Sequence, residues 1–230
     1  MGSHDQTTLE LLRQIVLMVV PLLVAVIFHE VAHGVVALRL GDDTAQRAGR
    51  LTLNPLPHID PFGTVLLPAM LAFAGAPVFG YARPVPVDYR NLREPRRRGM
   101  VLVALAGPLT NVALATASAL FFRGLLHRLD GIDVDAGGLS VQLATWVLVP
   151  LAIMAKYAVL TNVVLAVFNL IPIPPLDGGR VLTGLLPLPY ARRLAAIEPY
   201  GILIMMALLM TRSLGAIIDT PVRVLLRVLL

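Results

Sequence analysis

From Val101 to Phe122 the chain carries no charged side chain, and the same holds from Ile15 to Phe28. The hydrocarbon core of a bilayer, about 30 Å thick, takes about 20 helical residues to cross. Inside it every backbone N–H and C=O has to be satisfied within the protein. Apolar runs of this length therefore admit helices and little else. Composition agrees: 57% of the residues are hydrophobic and 14% charged, against about 25% charged in a soluble domain. Mean hydropathy is +0.79. The expectation is an all-α integral membrane protein, a polytopic helix bundle of about 4–6 membrane segments.

The candidate segments run from about Leu9 to Leu40, Phe62 to Phe79, Val101 to Phe122, Leu139 to Leu176, and Gly201 to Met210 with its flanks. The tail, Ser213 to Leu230, is apolar but carries Asp219, Arg223 and Arg227, which suits a short last span or an interfacial helix. Pro68, Gly75 and Pro77 interrupt the second segment. Basic residues in short loops set orientation. Arg47, Arg50, Arg83, Arg90, Arg93, Arg96, Arg97 and Arg98 crowd residues 41–98 outside the 62–79 piece. Residues 127–138 set Arg128 against Asp130, Asp133 and Asp135. Residues 41–98 are thus expected on the cytoplasmic side and 127–138 outside. Residues 62–79 then begin and end on one side, as a re-entrant or interfacial piece between the first and second full spans. No repeat and no polar stretch able to hold a soluble domain is present. Residues 1–230 read as one membrane-embedded domain, with a core over about 9–186 and C-terminal helices over about 195–230. No cleavable signal peptide is expected. The chain has no cysteine, which rules out a thiolate metal site. Its arginines are not interleaved with aromatics, so nucleic-acid binding is not expected.

Against this apolar background stands FHEVAHG, residues 28–34. Ionisable side chains inside a span cost about 2.5–3.5 kcal/mol each and are functional by default. On a helix, residues four apart share a face, so His29 and His33 can hold one zinc ion, and Glu30 can serve as general base toward water. The other reading is a pair of structural histidines bonded to neighbouring helices. A catalytic zinc site needs a third protein ligand, and Asp177 in FNLIPIPPLDGGR, residues 168–180, is the best candidate. Prolines 172, 174 and 175 stop the helix. Gly178 and Gly179 permit a sharp or left-handed path, which could turn the aspartate into the bundle. Asp177 could instead cap a helix near 180–186. Span counting brings it to the same side and depth as His33.

Four ordered motifs, FHEVAHG at 28–34, NPLPHIDPFGT at 54–64, AGPLTN at 106–111 and FNLIPIPPLDGGR at 168–180, resemble those of the site-2 proteases, intramembrane zinc metalloproteases, in their short form without an accessory domain. The likeness covers about residues 15–186. It implies one zinc per chain on His29, His33 and Asp177, with Glu30 as catalytic base. It also implies that Asn111, four residues after Gly107, lies near the site, bonding substrate backbone or an oxyanion. Gly107 and Asn111 could equally serve as helix-to-helix glue. His58 and Asp60 are expected to order their own turn, and Asn162 and Asn169 to bond between helices. The implied activity is hydrolysis of peptide bonds in or near transmembrane segments of other membrane proteins, in a bacterial or archaeal cell membrane, with the site toward the cytoplasm. Strand addition of substrate beside 41–61 is one physical route. Two rivals remain: a non-catalytic metal-binding membrane partner, for which Glu30 has no use, and a zinc hydrolase of a small amphiphile.

Overall fold

A computed structural model describes residues 3–75, 80–93, 95–132, 138–211 and 213–230. Among them every regular element is helical. Helix α1 (Ser3–Arg39) is followed by the short α2 (Thr44–Arg47), a 3-10 turn at Leu56–His58, and a π-helical turn at Pro61–Leu66 that leads into α3 (Leu67–Phe73). Then come α4 (Arg96–Asp130), α5 (Gly138–Leu143) and, through a second π-helical turn, α6 (Val149–Asn169). The chain ends with α7 (Asp177–Leu185), α8 (Leu188–Ala195), a 3-10 turn at Glu198–Tyr200, α9 (Gly201–Met210) and α10 (Ser213–Leu229).

Among the described residues three stretches are long and apolar enough to cross a membrane: Leu12–Arg39, Arg96–Asp130 and Gly138–Asn169. A fourth exists if the bent pair Leu188–Tyr200 and Leu203–Met210 counts as one. The piece expected to re-enter is six residues of π-helix and seven of α-helix, Pro61–Phe73. It reaches at most about 20 Å, too short to cross a core of about 30 Å. Its far end, including Pro77 and Phe79, lies outside the described residues, as do Asp133 and Asp135.

α1, α4 and α6 form the bundle around the site. α1 and α4 run antiparallel, since Ala25 meets Asn111 while His33 meets Val103. Their contact faces carry small residues: Ala25 and Ala37 on α1, Ala104, Gly107, Ala115 and Ala119 on α4, and Ala152, Ala155 and Ala166 on α6. Small side chains let membrane helices approach until their backbones nearly touch. The outward faces stay apolar, with Val16, Leu23, Leu109, Leu120 and Leu160 exposed, as lipid contact requires. α10 lays Val222, Leu225, Leu226 and Leu229 against Ala115, Ala119, Val159 and Val163.

Two turns at one end of the bundle position the chemistry. α1 stops at Gly41, whose φ of +108° favours glycine. Next to it Asp42, fully buried, accepts hydrogen bonds from Thr44, from the Asp88 N–H at 2.8 Å and from Asn91 Nδ2 at 3.1 Å. That ties residues 85–91 to the end of α1. The second turn joins α6 to α7 and contains a cis Pro174–Pro175 bond. Gly178 and Gly179 are helical there, with no positive φ, contrary to the left-handed path that the sequence allowed. They are needed for close approach. A Cβ on Gly178 would lie 2.2 Å from Leu170 O, and one on Gly179 2.4 Å from Pro174 N. Arg97, one of the basic residues used above for orientation, donates to Thr183 O at 3.4 Å and to Leu186 O at the end of α7.

Candidate metal centre

His29 and His33 leave one face of α1, as their spacing predicts, and meet one face of α4. Val103, Gly107 and Asn111 are spaced by four along that helix and so share a face. His33 Nδ1 lies 2.7 Å from Val103 O. His29 Nδ1 lies 2.5 Å from Asn111 Oδ1. Both partners are acceptors. A carbonyl oxygen can only accept, and the orientation of the Asn111 amide follows from its neighbours. Its Nδ2 donates to Ala25 O at 3.2 Å and to Asn162 Oδ1 at 2.8 Å. The Asn162 Nδ2 in turn donates to Ala158 O at 2.9 Å. Each ring therefore carries its proton on Nδ1 and turns an Nε2 lone pair inward.

The two Nε2 atoms lie 3.1 Å apart. Asp177 Oδ2 is 3.1 Å from the first and 3.3 Å from the second. All three side chains are buried. Two lone pairs and a carboxylate oxygen facing one another repel unless a cation lies among them. Asp177 Oδ2, although this close to two nitrogens, accepts no hydrogen bond. Bonds to zinc of about 2.0–2.1 Å at tetrahedral angles would place neighbouring ligand atoms roughly 3.3 Å apart, close to the triangle seen. Opposite the histidines Gly107 leaves a gap: a Cβ there would sit 2.4 Å from His33 Nε2 and 2.7 Å from His29 Nε2. The donor set, the orphaned oxygen and the gap all fit a zinc ion. Asp177 is the first residue of α7 and its carboxylate caps no helix, so its capping alternative is not what the fold uses.

Glu30 sits beside this cluster in a cavity of about 390 Å3 lined by His29, Glu30, His33, Asp177 and residues of the 80–89 segment. Its Oε2 accepts the Val85 N–H at 2.8 Å. Gly34 makes that possible, because any side chain there would collide with Leu51 and Val85. The 80–88 segment has no regular structure and hangs on the preceding turns. Tyr81 N–H donates to Gly63 O and Arg83 N–H to His58 O, while the buried Arg50 donates to Arg83 O at 2.7 Å. Residues 41–61 form helical turns and irregular chain, with no strand; chain from 80–89 lines the cavity.

Asn111 lies beside the site, as expected, against His29. It is fully buried, both its amide protons are engaged, and it fixes the His29 tautomer. His58 stays apart from the cluster, bonded to Thr52 O at 2.9 Å. Asp60 accepts from Phe62 N–H and Gly63 N–H and so orders its own turn. Asn162 bonds across to α4 through Asn111 and Asn169 back to Leu165 O. Two groups went unread in the sequence, the Val103 carbonyl and the Val85 N–H. Both are backbone atoms, which residue identity does not mark.

Comparison with known proteins bears on the same residues. The family model described as peptidase family M50 matches residues 17–211. The protein named "Putative zinc metalloprotease YwhC" from Bacillus subtilis is 39% identical over 207 residues, covering 89% of this chain and 84% of that protein. "Putative zinc metalloprotease Rip2" from Mycolicibacterium smegmatis is 30% identical over 202 residues, covering 87% of this chain and 69% of its own length. No solved structure matches with statistical significance. The match takes in α1, α4, α6 and α7 together with every residue of the cluster, so the chain belongs to peptidase family M50, the site-2 protease family, and is a membrane zinc metalloprotease.

Proposed function

We propose that the protein hydrolyses peptide bonds in or next to transmembrane segments of other membrane proteins, with His29, His33 and Asp177 holding one zinc ion and Glu30 as the base. The observation that carries this reading is the inward-facing set of two Nε2 atoms and one Oδ2 with a carboxylate beside it, inside helices whose outer faces are apolar. Bound zinc supplies Lewis acidity toward a carbonyl and lowers the pKa of water from 15.7 to about 7. The chain's own residues do the rest. Val103 O and Asn111 Oδ1 hold the two imidazoles in the tautomer that binds metal. The Val85 N–H fixes the Glu30 carboxylate. Glu30 takes a proton from water and returns it to the leaving amine. In a helix each peptide group is hydrogen-bonded within its own chain, and the cavity beside the cluster is about 390 Å3. A helical substrate therefore has to unwind to reach it.

Glu30→Gln keeps the size and loses the base. Purified in detergent, it should retain zinc at the wild-type level and lose about 10²–10⁴-fold in cleavage of a transmembrane-peptide reporter. Zinc in both proteins with cleavage by neither would favour the non-catalytic or small-amphiphile rivals. We also place residues 41–98, and with them the site, on the cytoplasmic side of a cell membrane. A reporter enzyme fused near Arg90 should be active only in the cytoplasm, and activity outside would reverse the orientation.

A further inference from the structure

α7 presents a second charged side chain to the cavity. Arg180 follows Asp177 by three residues, so both leave the same face of that helix. Both line the cavity that holds His29, Glu30 and His33, and among the described lining residues Arg180 is the one permanent cation. Its guanidinium lies 5.9 Å from the centroid of the Tyr89 ring, a contact that aims the flat fork. Its Nη2 donates to Glu198 Oε1 at 3.3 Å, long for a charge-assisted bond, which normally measures about 2.7–2.9 Å. Glu198 stands on a three-residue turn, and both side chains are partly exposed. Such a pair is weak and exchangeable. Holding zinc and moving a proton require neither residue.

A guanidinium has five N–H donors in a plane that matches a carboxylate. We propose that Arg180 determines specificity by receiving a carboxylate side chain of the substrate close to the scissile bond, in exchange for Glu198. This rests on the proteolytic reading above, and the test separates the two. Zinc-loaded Glu30→Gln protein is titrated with a fluorescent transmembrane peptide through which one Asp is moved position by position, each peptide paired with its Asn counterpart. At one or two positions the Asp peptide should bind about tenfold more tightly than its Asn partner. Adding Arg180→Ala should bring that ratio to one, and adding Glu198→Gln should widen it by removing the competing carboxylate. If Arg180→Ala fails to fold, Arg180→Lys, which lacks the fork, and Glu198→Gln decide. A ratio of one at every position, a ratio that survives Arg180→Ala, or equal weakening of both peptides overturns the proposal. Wild-type protein that binds with the Asp preference yet cleaves nothing counts against proteolysis and leaves the Arg180 assignment standing.

Discussion

Gly107→Ala should empty the metal centre without unfolding the bundle. In a helix interior this exchange ordinarily stabilises by about 0.8–1.0 kcal/mol. Here the new methyl group would lie 2.4 Å from His33 Nε2 and 2.6 Å from His29 Cε1. Restoring van der Waals contact needs a shift of roughly 1 Å in at least one ring, whereas plausible zinc sites keep ligand distances within about 0.2 Å. The rings cannot yield cheaply. Both are held at Nδ1 by α4 itself, through Val103 O four residues before and Asn111 Oδ1 four residues after. The expected result is protein that elutes like wild type and melts like wild type stripped of its zinc, but carries below about 0.1 zinc per chain and has no detectable protease activity. Elemental analysis beside a thermal melt checks it. Full zinc in Gly107→Ala would mean that the ion sits elsewhere. The variant also separates the two sequence-level readings of this position. A glycine serving only as helix glue would, when replaced, loosen α1 from α4 and lower the melting temperature while sparing zinc.

How much of this could be read from the chain depends on which atoms act. HEVAH was legible because helical periodicity puts residues 29 and 33 on one face whatever they pack against. Asp177 was legible because span parity returns residues 170–180 to the end of the bundle where His33 lies. In the 62–79 piece Pro68, Gly75 and Pro77 argue against one continuous span, and its described helical part, Pro61–Phe73, is short for a crossing. Other features depend on the partner helix. The pattern of Gly107 and Asn111 marks a close helix contact. Whether that contact serves packing or the imidazole tautomers depends on α1 register, which local pattern does not encode. The glycines at 178 and 179 suggested unusual dihedrals. Only the fold shows that the first turn of α7 presses on the backbone of residues 170–174, where any Cβ is excluded. Asp42 is one of two adjacent acids in GDD, and nothing in that triplet marks it out. Its burial and its bonds to residues 88 and 91 arise from chain nearly 50 positions away.

Asp177→Asn should reverse the order of stability between metal-loaded and metal-free protein. With zinc present the wild type gains RT ln(1 + [zinc]/Kd), about 4 kcal/mol when free zinc is a thousand times Kd. The variant, whose neutral amide is a poor ligand, gains little and loses cleavage. Chelation turns the comparison round. The wild type is left with a buried carboxylate whose Oδ2 accepts no hydrogen bond and faces two imidazole lone pairs. A buried charge without a partner costs several kcal/mol. Asparagine has the same shape and no charge, and its amide N–H can donate to Nε2 of His29 and of His33, both acceptors in the tautomers that α4 imposes. In chelator the variant should then be more stable than wild type by about 1–3 kcal/mol, a rise of several degrees in melting temperature for a chain of this size. In zinc it should melt lower. If Asp177→Asn keeps stoichiometric zinc, Asp177 is no ligand. If it melts below wild type in chelator as well, the carboxylate has an unseen stabilising partner. A crossover between the two conditions would show that this residue is kept at the cost of the empty fold, for the metal it holds.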